Sequence, residues 1–77
     1  MNTKMVDVTI HIDEETSSAE KESLRDRLLE HDGVMAADYN RNKPHLMIVE
    51  YNPDVIDSSE FLNVVKKLNL HGELIGM

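Results

Sequence analysis

The sequence predicts a small α+β domain whose elements follow the order strand, helix, strand, strand, helix, strand. Residues 5–12 and 45–51 alternate apolar and polar side chains with a period of two, which is typical of half-buried strands. Residues 17–32 and 57–69 carry apolar side chains three and four positions apart, which indicates two amphipathic helices. Two shorter segments that follow the helices complete the set as strands, residues 34–39 and 70–75.

The first strand and the first helix have clear signals in the sequence. Along residues 5–12 the valines and isoleucines fall on one face, and His11 falls on the other. Ser17 is followed three positions later by Glu20, which is the spacing of a capping box, so we expect the helix to begin there. The helix should end at Gly33, because glycine accepts the left-handed conformation that closes a helix. Its predicted apolar residues are Leu24, Leu28 and Leu29.

The second half of the chain contains two strands, a helix and a final strand. A turn with two asparagines and a proline precedes the strand of residues 45–51. We expect Asp57 or Ser58 to cap the second helix and Asn69 to adopt a left-handed conformation at its end. The predicted buried residues are Val34, Ala37 and Tyr39 in the second strand, Met47, Val49 and Tyr51 in the third, and Phe61, Val64, Val65 and Leu68 in the second helix.

This order of elements has few compact arrangements. Because β-α-β crossovers are right-handed, we expect a four-stranded antiparallel sheet with the strand order 4-1-3-2. Both helices should cover one face of the sheet, which gives the ferredoxin-like topology and leaves the other face open. A chain of 77 residues suits one such unit, so residues 1–77 are expected to form a single domain.

The charge of the chain limits the kinds of partner that it can bind. Asp and Glu total 15 against 8 Lys and Arg, so the net charge is −7 at pH 7. Nucleic acids and anionic membranes bind basic surfaces, so we expect neither as a partner. A cation or a basic protein is compatible with this charge, although acidity alone also keeps a protein in solution.

The absence of cysteine excludes several kinds of chemistry. Without thiols the chain forms no disulfide, no thiolate metal site and no cysteine nucleophile. The sequence also lacks a Gly-rich phosphate loop and a Ser-His-Asp set that the topology would bring together, so we expect no enzyme. No apolar run approaches the ~20 residues of a membrane span, and no signal peptide follows the first methionine. We therefore expect a soluble cytoplasmic protein.

Several residues follow the pattern of a known family. Gly33-Val34 closes the first helix, Leu24 and Leu28 occupy its apolar positions, and residues 49–53 read Val-Glu-Tyr-Asn-Pro. With these motifs the chain resembles the heavy-metal-associated domains of copper chaperones and metal-transporting ATPases over nearly its whole length. The resemblance implies the same ferredoxin-like fold and raises the question of metal binding.

The same resemblance places the family's two metal-binding cysteines at Ser17 and Glu20. The family holds Cu(I) between two thiolates, and neither a hydroxyl nor a carboxylate replaces a soft sulfur ligand. The resemblance therefore implies the fold without the thiolate site. Metal-ion binding by this chain would require other ligands.

Three histidines could supply such ligands. In the predicted topology His11 ends the first strand, and His45 and His71 begin the third and fourth, so all three lie at one end of the sheet. Imidazole suits Zn, Ni or Cu(II), and Glu73 or Asp13 could complete a site. The alternative is that these are solvated histidines at strand ends whose rings do not converge, and the strand parity of His45 favours this alternative.

The open face of the sheet offers a second function. Leu46, Ile48 and Ile75 are predicted on this face, where neighbouring aliphatic side chains could contact a protein partner or form a homodimer. The alternative is a set of scattered surface apolar residues without a partner. The sequence thus leaves open metal-ion binding near the end of the first strand and protein–protein interaction through the open face.

Overall fold

The computed structural model describes residues 4–75, and the six elements occur in the predicted order. The first three and last two residues of the predicted domain lie outside this range. Neither helix in residues 4–75 is long and apolar enough to cross a membrane. The strands are β1 (Val6–Ile12), β2 (Val34–Tyr39), β3 (Leu46–Tyr51) and β4 (Gly72–Ile75), and the helices are α1 (Ser18–Leu29) and α2 (Ser59–Lys67).

The four strands form one antiparallel sheet with β3 and β1 at its centre. Val8 of β1 pairs with Val49 of β3 on one side, and Ile10 pairs with Leu74 of β4 on the other. The spatial order β2-β3-β1-β4 is the predicted order 4-1-3-2 read from the opposite edge. The predicted ferredoxin-like topology is therefore confirmed.

The core lies between the sheet and the two helices. Buried and more exposed residues alternate along the second half of β1 and along β3, because successive side chains of a strand point to opposite faces. Phe61 of α2 is fully buried and packs edge-to-face on Tyr51, with ring centroids 5.0 Å apart. The core contains Val8, Ile10, Ile12, Leu24, Leu28, Ala37, Met47, Val49, Tyr51, Phe61, Val64, Val65 and Leu70.

β2 departs from strict alternation. Val34, Ala37 and Tyr39 contribute to the core, although Val34 and Ala37 are three positions apart rather than two. The pairing with β3 shifts between Val34 and Ala36, which marks an irregularity of the bulge type. An extra residue in one strand changes the parity of the side chains that follow it. The sequence predicts these three residues from their apolar character, and the bulge explains their spacing.

α1 buries a narrower face than the sequence predicts. Leu24 and Leu28 are buried, whereas Leu29 is 40% exposed. The prediction that Leu29 belongs to the apolar face is therefore wrong. Successive helical residues are about 100° apart around the axis, so Leu29 lies beside the stripe that Leu24 and Leu28 form at a spacing of four.

Both helices are followed by residues with positive φ. Gly33 follows α1 with φ 93°, and a Cβ at this position would lie 2.9 Å from the side chain of Val55. Asn69 follows α2 with φ 61°. Asn69 directly follows the C-cap Leu68 and closes α2 as predicted. Gly33 is left-handed as predicted, but it does not end the helix, because α1 already ends at Leu29 with Glu30 as its C-cap.

At the start of α2 the structure distinguishes between two candidate caps. The Asp57 Oδ1 accepts a hydrogen bond from the backbone N–H of Ser59 at 2.9 Å, whereas the side chain of Ser58 makes no capping bond. Hydrogen bonds from the backbone and side chain of Ser59 hold the pKa of Asp57 below its usual value. Asp57 is therefore the residue that caps α2.

Candidate cation site at the end of β1

Three strand ends and one helix start meet at one end of the sheet. The backbone N–H of Ile12 donates to the carbonyl of His45, just before β3, at 2.8 Å. The next N–H, of Asp13, donates to the carbonyl of His71, just before β4, also at 2.8 Å. The end of β1 is thus fixed on both sides, and the loop to α1 leaves from this point.

The start of α1 is closed by the predicted capping box. The Ser17 Oγ accepts from the backbone N–H of Glu20 at 3.2 Å, and the Glu20 carboxylate accepts from the backbone N–H of Ser17 at 3.0 Å. Two N–H groups that a helix start leaves without partners are satisfied in this way. The two positions where the resemblance places metal-binding cysteines therefore serve the helix instead.

His45 is oriented by the backbone of β1. Its Nδ1 lies 2.7 Å from the carbonyl oxygen of Ile12, and because a carbonyl only accepts, Nδ1 carries the proton and donates. The ring is stacked beside that of His11, with centroids 5.8 Å apart and an interplanar angle of 21°. The structure thus brings two of the three predicted imidazoles side by side.

His71 is paired with the carboxylate of Glu14, which lies in the loop after β1. The Glu14 carboxylate lies 2.5 Å from Nδ1 of His71 and also accepts from its backbone N–H at 2.8 Å. These bonds lower the pKa of Glu14, and the side-chain bond to Glu14 raises the pKa of His71. The pair joins the loop after β1 to the loop after α2.

A third group, at the same end of the sheet, has the composition of a metal site. His11, Asp13 and Glu73 each offer one ligand atom, and these atoms all lie within 4.8 Å of one another. His11 and Glu73 are paired residues of β1 and β4, so the sheet register sets their proximity. Nδ1 of His11 is shielded from solvent and lies 3.3 Å from the Asp13 carboxylate, close enough for a charge contact but without hydrogen-bond alignment.

The predicted ligands therefore fall into separate groups. Within residues 4–75, no cluster of three ligand atoms includes His45 or His71, and the three-histidine site stays a prediction. Asp13 and Glu73 are the residues predicted from the sequence to complete a site with the histidines. The pairing of Glu14 with His71 was not predicted, because the two residues are 57 positions apart and give no local signal in the sequence.

The predicted interface residues lie on the face without helices. Ile48 and Ile75 are 43% and 41% exposed, and Leu46 is half-buried. Ile48 and Ile75 both pair with Thr9 of β1, one from each side, so the two isoleucines flank one central residue. The use of these residues as an interface stays a prediction.

Comparison with solved structures finds the same fold in metal-binding domains. The N-terminal domain of a potential copper-translocating P-type ATPase from Bacillus subtilis, solved in the Cu(I)-loaded state, is 27% identical, with a TM-score of 0.85 over 95% of this chain and 90% of that chain. Oxidised MerP from Ralstonia metallidurans CH34 is 12% identical, with a TM-score of 0.83 over 95% and 100%. A copper binding domain from HMA7, a P-type ATPase, is 14% identical, with a TM-score of 0.81 over 91% and 93%.

These neighbours are heavy-metal-associated domains of chaperones and P-type ATPases, and the resemblance seen in the sequence is confirmed. No protein-family model and no curated protein sequence matches the chain. The chain thus has the fold of these metal-binding domains and contains no cysteine.

Proposed function

We propose that this chain is a binding domain for a divalent metal ion, which it holds through His11, Asp13 and Glu73. The observation that carries this proposal is the convergence of one imidazole and two carboxylates within 4.8 Å, with a ring nitrogen of His11 that has no hydrogen-bond partner among residues 4–75. An unpaired, shielded nitrogen next to carboxylates is unfavourable in itself, and a bound cation would satisfy it.

The ligand set favours metal ions that are borderline between hard and soft. Zinc takes nitrogen and oxygen ligands at about 2.0–2.2 Å, so ligand atoms around one ion lie about 3–4 Å apart. Asp13 and Glu73 are exposed and can rotate to close the remaining distance. One imidazole and two carboxylates suit Zn(II), Ni(II) or Cu(II), whereas Cu(I) prefers soft sulfur ligands, and this group contains none.

The surface position of the three proposed ligands suits metal binding better than catalysis. The three residues are on the surface of the sheet and leave part of the coordination sphere to water or to a ligand from another protein. A site of this kind loads and releases its ion readily. With the CopZ metallochaperone among the structural neighbours, we infer a role as a cytoplasmic carrier of a divalent ion rather than as an enzyme.

A two-dimensional amide NMR titration with Zn(II) at neutral pH, repeated with Ni(II), tests this proposal. We expect saturable shifts at His11, Asp13 and Glu73 and at their chain neighbours. The variants His11→Gln and Glu73→Gln should each weaken binding about tenfold or more, because loss of a residue that only supports a ligand already costs about 10–100-fold in metal affinity and a direct ligand should matter at least as much. The matched control is His31→Gln, which changes a histidine beyond the far end of α1.

Three outcomes are informative. Unchanged affinity in both variants, or the lack of any saturable shift, would remove metal-ion binding as the function. Shifts centred on His45 and His71 would replace the proposed ligand set by the three-histidine set. Equal loss in His31→Gln and His11→Gln would indicate general binding to surface histidines and would also contradict the proposal.

A further inference from the structure

We propose that the helix-free face of the sheet docks a basic segment of a protein partner, one that presents apolar side chains flanked by lysine or arginine. We call this surface the acidic face and define it by Asp7, Asp38, Glu50, Ile48 and Ile75, with Thr9 at its centre and Glu73 at its border with the cation site. The inference does not require metal binding, since Glu73 is the one residue that the face shares with the cation site and the other residues take no part in that site.

The first observation is the distribution of charge over the sheet. Every acidic residue within the four strands is exposed, and every one belongs to the acidic face: Asp7, Asp38, Glu50 and Glu73. The eight Lys and Arg side chains lie before β1, on the helices and in the β2–β3 turn, and none lies in a strand. The sheet therefore presents only negative charge on its open side.

The second observation is that these charges are not balanced within the domain. Asp7 and Glu50 are directly paired residues of β1 and β3, and like charges opposite one another destabilise a sheet. Among residues 4–75, no ion pair involves Asp7, Asp38 or Glu50. This arrangement contributes nothing to folding, so a partner that supplies cations would relieve it.

The third observation is an apolar centre among the carboxylates. Ile48, Thr9 and Ile75 form one row across β3, β1 and β4. Adjacent strands are about 4.8 Å apart, so the two exposed isoleucines are about 10 Å apart and flank the threonine. An apolar centre with a charged border is the usual composition of a transient protein interface.

The negative charge of the acidic face indicates which kind of partner can bind to it. In a homodimer through this face, two sets of carboxylates would oppose each other with no cation between them, which is unfavourable. Nucleic acids and anionic lipids are repelled for the same reason. A basic protein segment is the occupant that both neutralises the carboxylates and covers the isoleucines.

The experiment uses a helical peptide of lysine and leucine as the probe, with a glutamate and leucine peptide of the same pattern as its control. Amide shifts of the chain are followed during titration in the presence of EDTA, so that metal binding does not contribute. We expect saturable shifts on the acidic face with the lysine peptide only. The affinity should fall as salt concentration rises, because the attraction is between charges.

Matched variants distinguish binding at the acidic face from a general effect of the net charge of the chain. The double variant Asp7→Asn/Glu50→Gln should weaken binding about tenfold. The control Glu22→Gln/Glu30→Gln removes the same charge from exposed positions on and just after α1 and should leave binding nearly unchanged. Ile48→Thr should also weaken binding, whereas Val55→Thr, a change at an exposed valine between β3 and α2, should not.

Equal effects of the two charge variants, or shifts centred on the helices, would overturn the proposal. Concentration-dependent shifts on this face without any peptide would identify a second copy of the chain as the occupant and would also overturn it. None of these results depends on Zn(II) titration of His11, Asp13 and Glu73, so failure here and failure of the metal proposal are distinguishable.

Discussion

Glu14 makes two bonds to a single residue that is distant in the sequence. Its carboxylate accepts hydrogen bonds from both the ring and the backbone N–H of His71. The bond from the backbone N–H involves a neutral donor, whereas the bond from the ring joins two charges when the imidazole is protonated. The pKa of His71 is raised above its usual 6.5, and the pKa of Glu14 is lowered below its usual 4.5. The attraction between charges requires an ionised Glu14 and a protonated His71. The directions of the two pKa shifts therefore define the pH range in which it acts.

The contribution of His71 to stability is complete below the unfolded pKa of 6.5 and is lost as the pH rises through the raised folded pKa. The contribution of Glu14 is present above the unfolded pKa of 4.5 and is lost as the pH falls through the lowered folded pKa. The contact is therefore strongest between these values. It weakens as the pH rises through the raised pKa of His71, where the imidazole loses its proton.

The variant Glu14→Gln should lower the pKa of His71 toward its usual value, because the amide can accept from the backbone N–H but carries no charge. The change is measured from the chemical shift of the His71 ring as a function of pH. Glu15→Gln, at the exposed neighbouring position, should leave the pKa of His71 close to that of the unmodified chain. Similar titration curves for His71 in both variants would contradict the assigned cause.

At the scale of the element, the capping box makes the start of α1 dependent on one hydroxyl. Ser17→Ala removes the acceptor for the Glu20 N–H and should destabilise the domain by about 1 kcal/mol. Urea unfolding followed by circular dichroism measures this change as a lower midpoint. Ser18→Ala, one position later in the first turn, is the control and should have a much smaller effect, since Ser18 does not occupy the capping position.

Elements with regular periodicity were predictable from the sequence, and irregular segments were not. The alternation of apolar and polar residues predicted the inward faces of β1 and β3, and the spacing of apolar residues predicted the apolar stripe of α2. The bulge in β2 and the exposure of Leu29 depend on packing against other elements, which no local pattern encodes. Topology alone predicted that His11, His45 and His71 lie at one end of the sheet.

The directions of the side chains at this end could not be predicted in the same way. Asp13, Glu14, His45 and His71 lie just outside the strands, where the period of two no longer applies. Their contacts follow from the loop backbone instead. His11 and Glu73, within paired strands, are the two site residues whose proximity follows from register.

At the scale of the whole molecule, one small core supports both candidate surfaces. A domain of this size has a stability of about 4–12 kcal/mol, and truncation of a buried phenylalanine to alanine costs about 3–5 kcal/mol. Phe61→Ala, which also removes the contact with Tyr51, should therefore remove a large fraction of the stability of the domain and lower its melting temperature strongly.

Thermal melting followed by circular dichroism measures the effect of Phe61→Ala. The control Leu29→Ala truncates a large apolar side chain that is 40% exposed, and its melting temperature should fall far less. Equal losses in the two variants would mean that α2 is not the centre of the core.

The capping box also has an evolutionary consequence. A cysteine at position 17 or at position 20 alone would break a hydrogen bond that starts α1 and would supply only half of a thiolate pair. Each single step toward a copper ligand set thus weakens the helix and yields no soft metal site. A thiolate pair here would therefore need both substitutions, and together they would remove both hydrogen bonds of the capping box.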